Sequence, residues 1–200
     1  MSSAADVREW TAENLPDTEE IEEAYEEEHH RRRFMGTLRS TIFILVVVAA
    51  VAILVAVLLL PVLRIYGQSM NNTLSSGNVV LSVKSSSIES GDIVAFYYNN
   101  NILVKRVIAE GGDWVDIDEA GMVTVNSQKI DEPYLSTRAY GETNIKLPYQ
   151  VPEGKLFVMG DNRKVSVDSR NRSIGCVSDE QIVGKIVFRI WPLSGFGVIK

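Results

Sequence analysis

Polar and apolar positions divide the chain at one long run. From Thr41 to Leu63 no residue is charged, and Arg64 ends the run. Thr41 to Val62 number 22 residues, which as a helix reach about 33 Å, enough for a bilayer core of ~30 Å. Apolar residues fill every face, so the pattern is a spanning helix and not an amphipathic surface helix. The run is too long for the core helix of a small soluble domain, and too long and too far from Met1 for a cleaved signal peptide. Pro61 falls in its last turn, where a helix tolerates proline or is ending.

Beyond Arg64 the period shortens. Asn78–Lys84, Asp92–Tyr98, Ile102–Ile108, Trp114–Ile117, Met122–Val125, Gln128–Ile130, Leu156–Met159 and Gln181–Ile190 are short β-branched or alternating runs, separated by Gly, Asn, Asp and Ser. Gly184 inside the last run suggests a bulge. No repeat and no long helical period appear. The expected fold is mainly β: one N-terminal transmembrane helix, then an antiparallel barrel or sandwich.

Charge adds an orientation. Residues 1–33 are polar and acidic, and Glu19–Glu28 is almost all glutamate, which reads as a disordered or loosely helical solvated tail. Arg31, Arg32, Arg33 and Arg39 precede the apolar run; after it stands Arg64 alone until Lys84. The positive-inside rule puts the N-terminus in the cytoplasm. The expected organisation is a cytoplasmic tail over 1–40, a membrane helix over 41–63 and an extracytoplasmic domain over 64–200. The net charge of −6 is concentrated in the tail, and no basic stripe suggests a nucleic-acid partner.

The inventory of reactive side chains narrows the chemistry. The two histidines, His29 and His30, lie before the anchor, and Cys176 is the sole cysteine. A Ser-His-Asp triad, a His-based zinc site, a Cys–His pair and an intrachain disulfide are thereby excluded from the outer domain. Any base there is a lysine, a carboxylate, a tyrosine or an N-terminal amine.

Three stretches remain. Ser69 follows the anchor in Gly67-Gln68-Ser69-Met70. Lys105 sits in an apolar strand, where alternation sends Lys105 and Arg106 to opposite faces, so that one of them lies inward or lines a cleft. Gly160–Arg170 is dense in small polar residues. Taken singly, these are a loop serine, a surface charge on an edge strand and an Asx-rich turn. A lysine with pKa ~10.4 becomes a base near neutral pH only when burial lowers it.

Together the three stretches resemble type I signal peptidase, the Ser/Lys membrane protease family. Ser69, Met70, Thr73 and Leu74 match its Ser-Met-x-Pro-Thr-Leu pattern. Gly91–Val94 and Lys105–Ala109 match its Gly-Asp-x-Val and Lys-Arg-Val-x-Ala boxes, and Gly160–Arg170 matches its Gly-Asp-Asn-x-x-x-Ser-x-Asp-Ser-Arg box. Gly175 and Arg189–Leu193 also look like this family. Asn72 departs from it, standing where proline is usual, and the lost φ restraint would loosen the turn. Gly67 lacks the hydroxyl some members use on the oxyanion, which leaves that task to backbone N–H groups, Ser69's own first.

The resemblance implies Ser69 as nucleophile and Lys105 as general base. It implies that Ser166 orients the Lys amine and that Asp161, Asp168 and Arg170 hold the loop, the last two as an ion pair. Met70 would touch substrate beside a shallow apolar groove. The substrates implied are secretory preproteins with small residues one and three positions before the scissile bond, bound as an added strand. No metal and no cofactor is required. The implied location is the cell membrane, with lipid around the helix. Two alternatives stay open: a peptidase dedicated to one pilin-like or secreted partner, and an inactive membrane β-domain. A soluble, DNA-linked, self-cleaving Ser/Lys protein is disfavoured by the anchor.

Overall fold

The computed structural model describes residues 17–84 and 87–199; the first part of the acidic tail, 1–16, lies outside the described residues. The chain forms two units, 1–55 and 56–200. The first is helical: α1 runs Thr18–Leu59. The glutamate-rich tail therefore takes the helical of its two expected forms from Thr18 onward. Arg32 Nη2 donates to Glu28 Oε1 at 2.7 Å, an exposed i,i+4 pair that supports the helix only slightly. The hydroxyl of Thr41, at the start of the apolar run, donates to Thr37 O at 2.9 Å, so it enters the apolar stretch satisfied. The stretch ending at Val55 has a mean hydropathy of 2.7 and is long and apolar enough to cross a membrane.

The helix ends at Leu59, four residues before the expected boundary at Leu63. Pro61 explains the difference. It has no N–H for the helical ladder, and it drives the residue before it out of the helical region. Val62–Arg64 instead forms β1, paired antiparallel with β2 (Val79–Val83). Thr41 to Leu59 still reaches about 28 Å as a helix.

The second unit is mainly β, with two short 3-10 helices at Asp179–Gln181 and Leu193–Gly195. The further strands are β3 (Ile93–Tyr98), β4 (Asn101–Ala109), β5 (Trp114–Ile117), β6 (Val123–Val125), β7 (Gln128–Lys129), β8 (Tyr149–Gln150), β9 (Lys155–Met159), β10 (Val177–Ser178), β11 (Ile182–Trp191) and β12 (Gly197–Val198). The main sheet has the order β1-β2-β11-β3-β4-β9-β10, with β12 on β11, and the small sheet has the order β7-β6-β5-β8. All the pairings are antiparallel. The β11–β3 register shifts between Ile182 and Gly184, the bulge the glycine suggested. A Cβ on Gly184 would strike the Ser82 hydroxyl and lie 2.7 Å from Val83 O.

Three apolar clusters hold the strands. Ile65, Met70, Leu74, Ile93 and Ile186 form one, Val94, Phe96, Val107 and Val158 another, and Ile108, Val115, Phe157 and Met159 the third. β4 is covered on both sides, so Lys105 and Arg106 are both buried, at 3% and 2% exposure; the alternation had required only one of them to lie inward. The buried arginines and carboxylates are paired: Arg106 with Asp161 at 2.8 Å, Arg170 with Asp168 at 2.8 Å, and Arg163 with Glu132.

Burial alone would raise the Asp168 pKa; the hydrogen bond and charge of Arg170, with the Gly160 N–H, outweigh it and hold the carboxyl below its ordinary range. Because the folded value is depressed, this group stabilises the fold above the unfolded value of ~3.9 and loses that contribution as pH falls through the folded value. Asp168→Asn would leave Arg170 buried without its anion, a loss of about 3–5 kcal/mol. Thermal melts of the full chain in detergent are expected to fall for this variant at pH 7, and the gap to wild type to narrow on acidification below ~4.

Candidate active site

The segment between β1 and β2 is a tight turn over 69–73, fixed before any substrate arrives. Ile65 N donates to Asn78 O at 2.8 Å and Leu74 N to Met70 O at 2.7 Å. Ile65, Met70 and Leu74 are buried in the core, so Ser69, between the first two, cannot swing freely. The loop after β9 clasps the turn. Asn162 N donates to Ser69 O at 2.9 Å, its Nδ2 donates to Gln68 O at 3.2 Å, and the Thr73 hydroxyl donates to Asp161 Oδ2. Arg189 Nη2 donates to Thr73 O from β11.

Gly160 permits this approach. A Cβ there would lie 2.5 Å from Ser69 O and strike the Ser166 hydroxyl; any side chain would push loop and turn apart. Gly160 N donates to Asp168 Oδ2 at 2.9 Å, which ties the loop's start to its end.

Lys105 reaches this turn from β4. Its Nζ lies 2.7 Å from Ser69 Oγ. As an ammonium it donates to that oxygen; as a free amine it accepts the serine proton across the same distance. Among the described residues no carboxylate pairs with Lys105. Burial pushes its amine down from 10.5 to about 8, while Asp168 draws it up, Arg170 pushes it down and Asp161 draws it up. Uncompensated burial disfavouring the charged form is the larger effect.

The remaining expected residues take varied places. Asp161 holds Arg106, and Asp168 holds Arg170. Ser166 is buried beside Gly160, where its hydroxyl lies near enough to Asp168 to help hold that carboxyl low; it makes no hydrogen bond to the Lys amine. Met70 is 2% exposed and belongs to the floor of a cleft more than to its surface. Asn72 has φ 84°, a left-handed conformation closed to proline. The missing proline therefore does not loosen this turn, because Asn72 adopts a different backbone and Thr73 is held from two sides.

A cleft of about 400 Å³ opens beside Ser69 and Lys105, lined by Leu63, Ile65, Met70, Ile102, Leu103 and Val104 among others. β1 pairs only with β2, and β9 joins β4 only from Arg106 onward. Asn101–Lys105 is thus a free strand edge in the wall of the cleft. Sequence reasoning did not find Arg106, Arg163, Glu132, Thr73 or Arg189 as parts of this network. Arg106 carried a signal, a second charge in an apolar strand that required a buried anion, but nothing in the chain order named Asp161 as that anion.

A sequence model described as signal peptidase, peptidase S26, matches residues 38–191. Signal peptidase IB of Staphylococcus aureus (strain Mu50) is 40% identical over 152 residues, 66% of this chain and 78% of the relative. Signal peptidase I of Bacillus caldolyticus is 38% identical over 148 residues, 66% of this chain and 80% of the relative. The crystal structure of a signal peptidase I from Enterococcus faecalis V583 is 28% identical, with a TM-score of 0.44 over 50% of this chain and 97% of that one. With the family match spanning most of the chain, and with curated relatives at this identity, the protein belongs to the signal peptidase family of serine peptidases, peptidase S26.

Proposed function

We propose that this chain is a membrane-anchored endopeptidase that removes N-terminal signal peptides from exported preproteins, with Ser69 as nucleophile and Lys105 as general base. The observation that carries this reading is the 2.7 Å contact between Lys105 Nζ and Ser69 Oγ, made by a buried amine that pairs with no carboxylate among the described residues. The family and the relatives' names support the substrate class.

The neutral amine takes the hydroxyl proton as Oγ attacks the scissile carbonyl. Backbone N–H groups, Ser69's own first, donate to the developing oxyanion. The Lys105 ammonium then returns its proton to the leaving amine, which frees the mature chain and leaves an acyl-enzyme on Ser69. Water, deprotonated by the same amine, hydrolyses that ester and releases the signal peptide. An extended substrate fits the cleft as an added strand against the free edge of β4. Alternate side chains then point into the apolar lining, in keeping with small residues one and three positions before the bond. Asp161, Asp168, Arg170 and Ser166 support the loop that holds the serine turn.

The anchor would place the site. Arg31, Arg32, Arg33 and Arg39 on its N-terminal side favour a cytoplasmic tail over 1–40, a lipid-embedded helix from Thr41 to Leu59 and an extracytoplasmic peptidase domain beyond Val62.

Two measurements test this reading. In detergent, with a precursor peptide, cleavage is expected to rise with pH through an apparent value of about 8, so that the rate at pH 7 is about a tenth of the alkaline plateau. Lys105→Arg, which cannot lose its proton, and Ser69→Ala are each expected to lose about 10³-fold or more, whereas Lys84→Ala, at an exposed lysine, keeps most of the rate. A Lys105→Arg variant near wild-type rate rejects the mechanism. For topology, protease added to intact wall-stripped cells is expected to digest the β domain and spare an epitope on the tail; the inverse pattern rejects the orientation.

A further inference from the structure

Between β7 and β8, residues 130–148 run without regular structure from one side of the small sheet to the other. Such a segment is ordinarily a solvated connection. This one is not. Glu132 is 3% exposed and pairs with Arg163, neither side chain having any exposure. The Tyr134 hydroxyl donates to Glu132 Oε1 at 3.0 Å, and the Arg106 guanidinium lies over the Tyr134 ring, 3.9 Å from its centroid. Further along, Arg170 Nη1 donates to Tyr140 O at 2.9 Å, and Asn144 N donates to Arg170 O at 3.0 Å. Gly141, at φ 65°, passes so close that a Cβ would strike Arg163 O. The segment is a strap that touches all three buried arginines of the site.

Two of these arginines also lead to the nucleophile. Arg163 Nε donates to Gly160 O at 3.1 Å. Arg106 Nε donates to Asp161 Oδ1 at 3.0 Å, and Asp161 accepts from Thr73. Asn162, next along, holds Gln68 O and Ser69 O. An unbroken path therefore runs from the strap, through two guanidinium groups and Gly160–Asn162, to the serine turn.

We propose that Glu132 and Tyr134 are positioning residues for the Ser69–Lys105 pair: by holding Arg163 and Arg106 they hold the Gly160–Asn162 segment against the serine turn. This rests on the Ser69–Lys105 reading above. Glu132 supplies the anion without which Arg163 would be a bare buried cation, free to draw on the Gly160–Asn162 carbonyls or on Asp161 and Asp168. Burial, with the Glu132 carboxylate, raises the Tyr134 pKa and keeps its hydroxyl protonated, so the tyrosine remains a donor to Glu132 at working pH. Its ring caps the outer face of Arg106 while Asp161 holds the guanidinium in plane. The small sheet, which carries no part of the reacting pair, acquires a role as the frame that anchors both ends of the strap.

The test uses the full chain in detergent with a precursor peptide, and rates per folded enzyme judged by thermal melts. Glu132→Gln is expected to lower kcat about tenfold or more with KM within about twofold, since Glu132 lies outside the cleft lining and misplacing the reacting groups acts on the chemical step. Glu132→Asp, which keeps the charge, is expected to recover part of that loss. Tyr134→Phe keeps the ring over Arg106 but loses the donor to Glu132 and is expected to lower kcat less than Tyr134→Leu, which loses the ring face as well; if Glu132→Gln does not fold, the Tyr134 pair decides alone. The proposal is overturned if folded Glu132→Gln keeps kcat within twofold of wild type, if its loss lies in KM, or if Tyr134→Leu equals Tyr134→Phe. Ser69→Ala runs beside these variants: if it is inert and Glu132→Gln is unimpaired, only this inference fails, whereas cleavage by Ser69→Ala overturns the reading beneath it as well.

Discussion

Among the described residues Lys105 makes one hydrogen bond, to Ser69 Oγ, and it lies buried at the end of a strand edge. An ammonium in that position has lost most of its water and has gained no anion in exchange. The balance favours the free amine, and the pKa falls to about 8. This arrangement costs stability. With the folded value below the unfolded one, the unfolded chain binds the proton more tightly, so the cost is present below about 8 and fades as pH rises toward 10.5. At neutral pH it is on the order of 3 kcal/mol, a sizeable share of the stability of an ordinary domain. On the Ser69–Lys105 mechanism proposed above, the fold retains a destabilising group because that mechanism needs a proton acceptor there.

The rest of the site keeps that amine without a partner. The three buried carboxylates among the described residues, Glu132, Asp161 and Asp168, are each held by an arginine. Arginine suits this task, since its guanidinium stays charged and binds a carboxylate through two N–H groups, as Arg106 does to Asp161 and Arg170 to Asp168. A free carboxylate in this core would pair with Lys105 and hold its proton. The arginine pairs therefore do two things at once: they neutralise the buried acids, and they pin the loop that positions the serine.

Much of this was legible in the chain. The apolar run gave the helix, and alternation with turn residues gave most strands of both sheets, including the Gly184 bulge. Ser69, Lys105 and Gly160–Arg170 were recognisable because their spacing follows the family pattern. What escaped was non-local or conformational. The helix end at Leu59 was set by Pro61 and by pairing of Val62–Arg64 with a strand still to come, which hydropathy cannot register. Asn72 takes a left-handed backbone that proline cannot adopt, a conformation that the motif comparison did not register. Glu132 and Tyr134 lie in an irregular segment whose sequence resembles any polar loop; only the folded chain brings them to Arg163 and Arg106.

The central claim is that Lys105 is largely an amine at mildly alkaline pH because it is buried without an anion. The most direct test is to titrate its Nζ in the full chain, in detergent micelles, by NMR of ¹³C-labelled lysine, with the Lys105 signal identified by its loss in Lys105→Met. The account predicts a midpoint of about 8, well separated from the exposed lysines. A midpoint at the ordinary lysine value near 10.4 would contradict it, because an amine that stays protonated there could not take the proton from Ser69.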